Sequence, residues 1–224
     1  MNSVFLSETL LFQNISPEEI ESLLACLSAQ KKSFPKGSTI LHAGEPVSSI
    51  GLVLSGSVSL EHDDPWGNKS ILDQVEPGQA FAETYACVPG EPLMINAVAA
   101  QTSEILFLDV GQSLRLCSNA CKFHNQLIEN LLSIASRKNL NLSRRIFHTS
   151  SKSIRGRLLS YLSFQATENG SRDFVIPFNR QQLADYLSVD RSAMSNELSK
   201  MQRDGLLRVE RSHFTLLSSV EHDF

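Results

Sequence analysis

The sequence predicts an α+β chain built from a small antiparallel sandwich or barrel, one long helix, and a winged helix-turn-helix. Three observations carry this expectation. Turn signals recur at short intervals between residues 36 and 109, helical periodicity then runs from about Gly111 to Phe147, and two short capped helices near the carboxy end are followed by an alternating segment. With 224 residues and 42% hydrophobic content, the chain has length for two domains and material for real cores. The expected boundaries are 1–110 for the sheet domain, 111–148 for the long helix and 149–224 for the helix-turn-helix domain.

The first element is a helix opening at Ser16-Pro17-Glu18-Glu19. Ser16 can cap, Pro17 suits the first turn and Glu19 completes a capping box, while Ile20, Leu23, Leu24 and Leu27 share one face. From Lys36 the period shortens. Lys36–Leu41, Ile50–Leu60 and Ser70–Val75 read as strands separated by Gly44-Glu45-Pro46, by residues 63–68 and by Glu76-Pro77-Gly78, and Ile95–Asp109 supplies the last strands. The following helix, roughly 30 residues or about 45 Å long, outreaches a small sheet domain. Its apolar positions Leu127, Leu131 and Ile134 fit a short coiled-coil seam with a second copy of the chain, and because the seam weakens at Lys138 and Asn141, packing of the helix within its own chain is the competing reading. His148-Thr149-Ser150-Ser151 is a polar break and a candidate hinge.

Charge divides along the same line. Residues 1–129 carry 6 Lys and Arg against 15 Asp and Glu, net −9, and residues 130–224 carry 14 against 9, net +5, which together give the overall −4. Seven basic residues (Arg137, Lys138, Arg144, Arg145, Lys152, Arg155 and Arg157) stand between Glu129 and Glu168 with no acid among them. A basic carboxy-terminal part behind an acidic one suggests a module that meets phosphates. The amino terminus lacks a basic signal-like region and no apolar run approaches the roughly 18 residues of a membrane span, so a cytoplasmic protein with no membrane partner is expected. Cys26, Cys87, Cys117 and Cys121 are too few for a disulfide framework and are expected as thiols.

The densest signal lies after the hinge. A helix from Ile154 to about Thr167 is followed by an Asn169-Gly170-Ser171 turn and a short strand at Phe174–Pro177. Asn179 with Gln182 then opens a short helix bearing Leu183, Ala184 and Leu187 on one face, Ser188-Val189 turns, and Asp190 caps a second helix that buries Met194, Leu198 and Met201 and ends before Gly205. This is the helix-turn-helix pattern, and the alternating Leu206–Leu217 segment supplies a wing. Opposite the buried stripe lie Arg191, Ser192, Ser195 and Asn196, near the end of the helix that reaches base edges in the major groove of double-stranded DNA. Arg pairs bidentately with guanine and Asn with adenine. Arg180, Gln181 and Lys200 are assigned to the same DNA-binding surface, Arg180 and Lys200 as phosphate contacts.

In this order of parts the chain resembles the cAMP-receptor-protein/FNR (Crp/Fnr) family of transcription regulators along essentially its whole length. The resemblance implies that the sheet domain is a β-roll of the cyclic-nucleotide-binding type, a double-stranded β-helix or jelly roll. It further implies that the long helix dimerises, that the chain acts as a homodimer with RNA polymerase as a further partner, and that a small effector controls DNA binding. Pro77-Gly78-Gln79-Ala80-Phe81-Ala82-Glu83 is similar to the family's phosphate-binding cassette. Matching the cassette to this sequence implies an effector site at Glu83, Thr84, Met94, Ile95 and Leu127. Cyclic-AMP-responsive members carry Gly-Glu and, about ten residues on, Arg-Ser, whereas this chain has Ala82-Glu83 and Met94-Ile95. Met94 cannot donate to or neutralise a phosphodiester, so the expected effector is a small molecule other than cAMP.

A second expectation concerns the thiols. Cys117, Cys121 and His124 stand at i, i+4 and i+7, one face of a helix, and the resemblance brings Cys87 near that helix. Such a set could hold zinc or an iron-sulfur cluster or act as a redox switch, and plain packing of small apolar thiols is the competing reading. Enzymes are not expected. The chain has no Gly-x-Ser-x-Gly elbow, His-Glu-x-x-His pair, P-loop or dinucleotide fingerprint.

Overall fold

A computed structural model describes residues 2–63, 69–109 and 122–217 and divides the chain into two compact units, 1–137 and 138–224. The first opens with α1 (Ser3–Ser7), a single 3-10 turn at Leu10–Phe12, and α2 (Pro17–Cys26). The Ser16 box forms as the residue types dictate: the Glu19 amide donates to Ser16 Oγ at 3.3 Å and the Ser16 amide to Glu19 Oε2 at 3.0 Å.

Eight strands follow: β1 (Gln30–Phe34), β2 (Thr39–Leu41), β3 (Ser49–Ser55), β4 (Val58–Asp63), β5 (Lys69–Val75), β6 (Ala80–Phe81), β7 (Asn96–Ala99) and β8 (Ser103–Asp109). They form two antiparallel four-stranded sheets of order β1-β8-β3-β6 and β2-β7-β4-β5. Val53, Phe81 and Ile105 of the first sheet and Val58, Val75 and Ala97 of the second share one buried cluster, which makes this a two-sheet roll. The expected strand Ile50–Leu60 is in fact two. Gly56 breaks it with φ of +77°, where a Cβ would stand 2.4 Å from Ser103 Oγ, so the turn admits only glycine. Strand β1 escaped the sequence reading because its residues are mostly polar and exposed; pairing with β8 and the 2.7 Å Lys31–Glu104 ion pair hold it.

A short α3 (Glu83–Ala86) leads out of β6, and the long helix α4 is described over Lys122–Thr149, so the expected stretch from Gly111 to Cys121 lies outside the described residues. The predicted seam is corrected. Leu127 (1% exposed) and Leu131, with Ile134 against them, are buried in their own chain's core with Leu11, Phe12 and Leu23, because the amino-terminal helices supply the apolar cover. Asn130 fixes that packing by donating to Leu11 O at 3.0 Å and Gln13 O at 2.8 Å.

The second unit contains α5 (Ile154–Asn169), β9 (Asp173–Val175), α6 (Arg180–Leu187), α7 (Arg191–Arg203), β10 (Leu207–Glu210) and β11 (His213–Leu216). Its sheet runs β10-β11-β9, and its core joins Leu158 and Leu162 of α5, Leu183 and Leu187 of α6, Met194, Leu198 and Met201 of α7, and Phe174, Leu207 and Phe214 of the sheet. This is the helix-turn-helix with its wing, as expected.

Candidate nucleic-acid interface and effector region

Helix α6 starts at the Asn179–Gln182 capping box, with amide-to-side-chain bonds of 2.9 and 2.8 Å, and ends on Ser188 in the left-handed region at φ 54°. That residue turns the chain into α7. Asp190 Oδ1 caps α7 by accepting the Ala193 amide at 2.7 Å and the Ser192 hydroxyl at 2.6 Å. These bonds hold the Asp190 carboxyl below its ordinary range, the Ser192 hydroxyl contributing most and the Ala193 amide next. Ala184, fully buried, lets the two helices close.

Burial of Met194, Leu198 and Met201 turns the opposite side of α7 outward. Arg191 and Asn196 are exposed, and among the described residues nothing engages their side-chain polar groups. Ser192 is exposed but its hydroxyl serves the cap, and Ser195 is half-buried with its hydroxyl donating to Arg191 O at 2.9 Å. Lys200 is exposed, 3.8 Å from Glu197, and the exposed Gln181 donates to Asp185 Oδ1 at 2.8 Å.

Arg180 differs from all of these. Its guanidinium lies 5.4 Å from the Phe214 ring centroid, and Nη1 is buried with no hydrogen-bond partner among the described residues. Desolvation holds its pKa below the usual arginine value. The side chain lines a hollow of about 420 Å³ shared with Phe178, Asn179, Arg211 and Ser212. A guanidinium with an unspent buried N–H is suited to an anion.

The basic stretch is less outward-facing than its sequence implies. Arg145 donates from Nε to Tyr186 O at 3.2 Å and from Nη2 to Asp185 O at 3.1 Å. Arg157 donates from Nη1 to Leu187 O at 2.9 Å and Ser188 O at 3.0 Å, and from Nε to Ser151 O at 2.8 Å. Apart from Ser151 O, these carbonyls belong to the last turn and cap of α6, so two cations bond the carboxy end of that helix and oppose the negative pole of its dipole. Arg144 lies over the Phe164 ring at 5.1 Å, and Arg155 is committed to α7. Sequence reasoning missed these inward roles; the signal available was a run of arginines without acids just before a capped helix pair.

His148, read from the sequence as part of a polar break, is 1% exposed within Tyr161, Phe164 and Tyr186, its Nδ1 2.9 Å from Tyr186 Oη. Burial, and then Arg144, hold its pKa below the ordinary imidazole range. The candidate hinge segment therefore begins from a locked side chain rather than a freely solvated one.

In the effector region, Glu83 is buried at the start of α3, Thr84 is exposed, Met94 is 72% exposed, Ile95 is half-buried, and Leu127 belongs to the core beside the amino-terminal helices. Ala82, which stands in the family cassette's glycine place, has φ 61°, a backbone that favours glycine. Cys117 and Cys121 lie outside the described residues. Cys87 is exposed, its thiol pKa raised by local burial and then by Glu83, and His124 is buried with Nδ1 unpartnered among the described residues. Among the described residues no three His, Cys, Asp or Glu groups are placed to hold a metal. No described helix is long and apolar enough to cross a membrane.

Residues 31–120 match the family model of the cyclic nucleotide-binding domain and residues 156–219 that of the Crp-like helix-turn-helix domain. With both domains in this order, the chain belongs to the Crp/Fnr family of transcription regulators. It is 24% identical over 201 residues to a protein of Mycobacterium tuberculosis named CRP-like cAMP-activated global transcriptional regulator, covering 89% of this chain and 88% of that one. Among solved structures, the Thermus thermophilus catabolite activator protein matches with a TM-score of 0.51, 24% identity and 93% of each chain covered. The c-di-GMP responsive global regulator CLP of Xanthomonas campestris matches with a TM-score of 0.55, 18% identity, 89% of this chain and 98% of its own. The protein is a Crp-like transcription regulator with a cyclic-nucleotide-binding-type domain.

Proposed function

We propose that this regulator acts as a homodimer in which α7 of each copy enters the major groove of a two-fold-symmetric operator, under the control of a small effector other than cAMP. The observation that carries the DNA reading is the pair Arg191 and Asn196, exposed and unengaged among the described residues near the amino end of a helix whose other face is locked into the core. Arg180, with Arg211 beside the same hollow, receives a backbone phosphate, and Gln181, Ser192, Ser195 and Lys200 flank the contact. Residues 1–110 sense, 111–148 dimerise and 149–224 bind DNA, and RNA polymerase is the further partner of the assembled complex.

The effector acts near Glu83, Thr84, Met94 and Ile95 by favouring one of two placements of the recognition helices. Names among the relatives that invoke cAMP and c-di-GMP support a small effector, while Met94 in place of a cationic contact argues against cAMP. Redox or metal sensing through Cys87, Cys117, Cys121 and His124 is the weaker alternative, since the raised thiol pKa of Cys87 disfavours the thiolate that either chemistry needs. Selection from a randomised duplex pool with the full chain tests the reading. Enrichment of an inverted repeat with half-sites about one helical turn apart, bound less tightly as salt rises, is expected; absence of any enriched sequence overturns it.

A further inference from the structure

Arg155 stands on the second residue of α5, two residues from Arg157, yet points to a different helix. Its Nε lies 2.6 Å from Glu197 Oε1 and its Nη2 2.7 Å from Asp204 Oδ2. Glu197 follows Asn196 in the middle of α7, with its side chain only 17% exposed, and Asp204 is the carboxy-terminal cap of the same helix. One guanidinium therefore ties α7 to α5 at two points along its length. A planar guanidinium makes the two bonds from two separate nitrogens in a fixed plane, whereas an ammonium has to reach both carboxylates from one nitrogen and does not hold that geometry. The same Glu197 also faces Lys200 through its other oxygen at 3.8 Å.

We propose that Arg155 is a positioning residue for DNA recognition: it contacts no DNA itself but sets the tilt and roll of α7, and with them the reach of Arg191 and Asn196 into the groove. The inference rests on the reading of α7 as the recognition helix. A phosphate-contacting arginine and a clamping arginine make opposite demands on the side chain. Phosphate attraction needs positive charge alone, whereas the clamp needs the fork. Loss of a phosphate contact weakens binding to all duplexes and makes the dependence of log K on log salt shallower by about 0.9. Loss of a clamp weakens only the duplex whose bases α7 reads, and leaves that slope unchanged.

The test uses the full chain, a duplex enriched by selection, and an unrelated duplex of equal length, titrated at several salt concentrations. Arg155→Lys and Arg155→Ala are both expected to lower affinity for the enriched duplex about tenfold while binding to the unrelated duplex and the salt slope stay as in the wild type. Glu197→Gln should reproduce the loss, and the charge-swapped pair Arg155→Glu with Glu197→Arg should recover part of it. Circular dichroism melts show that each variant is folded at the assay temperature, and Arg155→Lys serves where Arg155→Ala is not. Full retention by Arg155→Lys, or an equal loss on both duplexes with a shallower slope, overturns the clamp. A wild type that prefers no duplex overturns the DNA reading and this inference together, whereas a preference that survives every variant overturns the inference alone.

Discussion

Arg191 and Arg180 meet DNA in the proposed complex by different physical means. Arg191 is exposed and, among the described residues, unengaged, so its value lies in geometry: two parallel donors directed at one base. Arg191→Ala should therefore cost about 1–3 kcal/mol on the preferred base pair and relax selectivity at that position only, measured by titrating single-base variants of the enriched duplex. Arg180 is half-buried over Phe214 with one N–H unspent, a cation already stripped of part of its water and so ready for an anion.

His148 is the other residue whose chemistry is visible. Its pKa is lowered by burial first and Arg144 second, so the neutral ring is the folded form. The unfolded imidazole titrates near about 6.5, and stability is complete above that value and lost as pH falls through the interval down to the lowered folded value. Thermal midpoints of the wild type should fall from pH 7.5 to 5.0 more steeply than those of His148→Phe; parallel profiles would contradict this. Ala82 stands at φ 61° where glycine is at ease. Ala82→Gly is expected to raise stability by about 0.5–1 kcal/mol, the relieved left-handed strain exceeding glycine's added chain entropy, as read by urea denaturation.

At the scale of elements, α4 and α6 carry the argument. In its first half α4 buries Leu127 and Leu131 against the chain's own amino-terminal helices. Farther on, Leu140, Leu142, Ile146 and Phe147 stay 57–69% exposed, and at 100° per residue they fall into two stripes, Leu140 with Phe147 and Leu142 with Ile146. A stripe of large apolar side chains in water is costly to leave uncovered, and a second copy of α4 covers such a stripe in the proposed homodimer. Leu140→Glu with Ile146→Glu should convert dimer to monomer in sedimentation velocity and abolish sequence-specific binding while the monomer stays folded. An unchanged dimer would place the interface elsewhere. Helix α6 shows the complementary economy: with eight residues it has few internal bonds, and Arg145 and Arg157 complete its carboxy end from two other helices.

For the whole molecule, the proposed division of work follows the charge split, an acidic amino-terminal part and a basic carboxy-terminal part. Much of the basic charge is nonetheless structural, which leaves DNA attraction to fewer cations than the net +5 suggests. If the effector is not cAMP, millimolar cAMP should leave affinity for the enriched duplex unchanged within twofold, measured by fluorescence anisotropy; a tenfold gain would show that Met94 does not exclude the nucleotide.

The caps at Ser16, Asn179 and Asp190, the buried stripe of α7 and the wing were legible in sequence because each depends on residues within a few positions of one another, where periodicity and capping chemistry act. By itself the sequence determined the α+β order of parts and the faces of the short helices. Tertiary structure alone decided that Leu127 faces its own chain, that polar β1 is a strand, that His148 is buried, and that Arg145, Arg155 and Arg157 face inward. Those outcomes depend on partners tens of residues away, and an apolar helix face or an arginine fork carries no local mark of which distant surface will satisfy it.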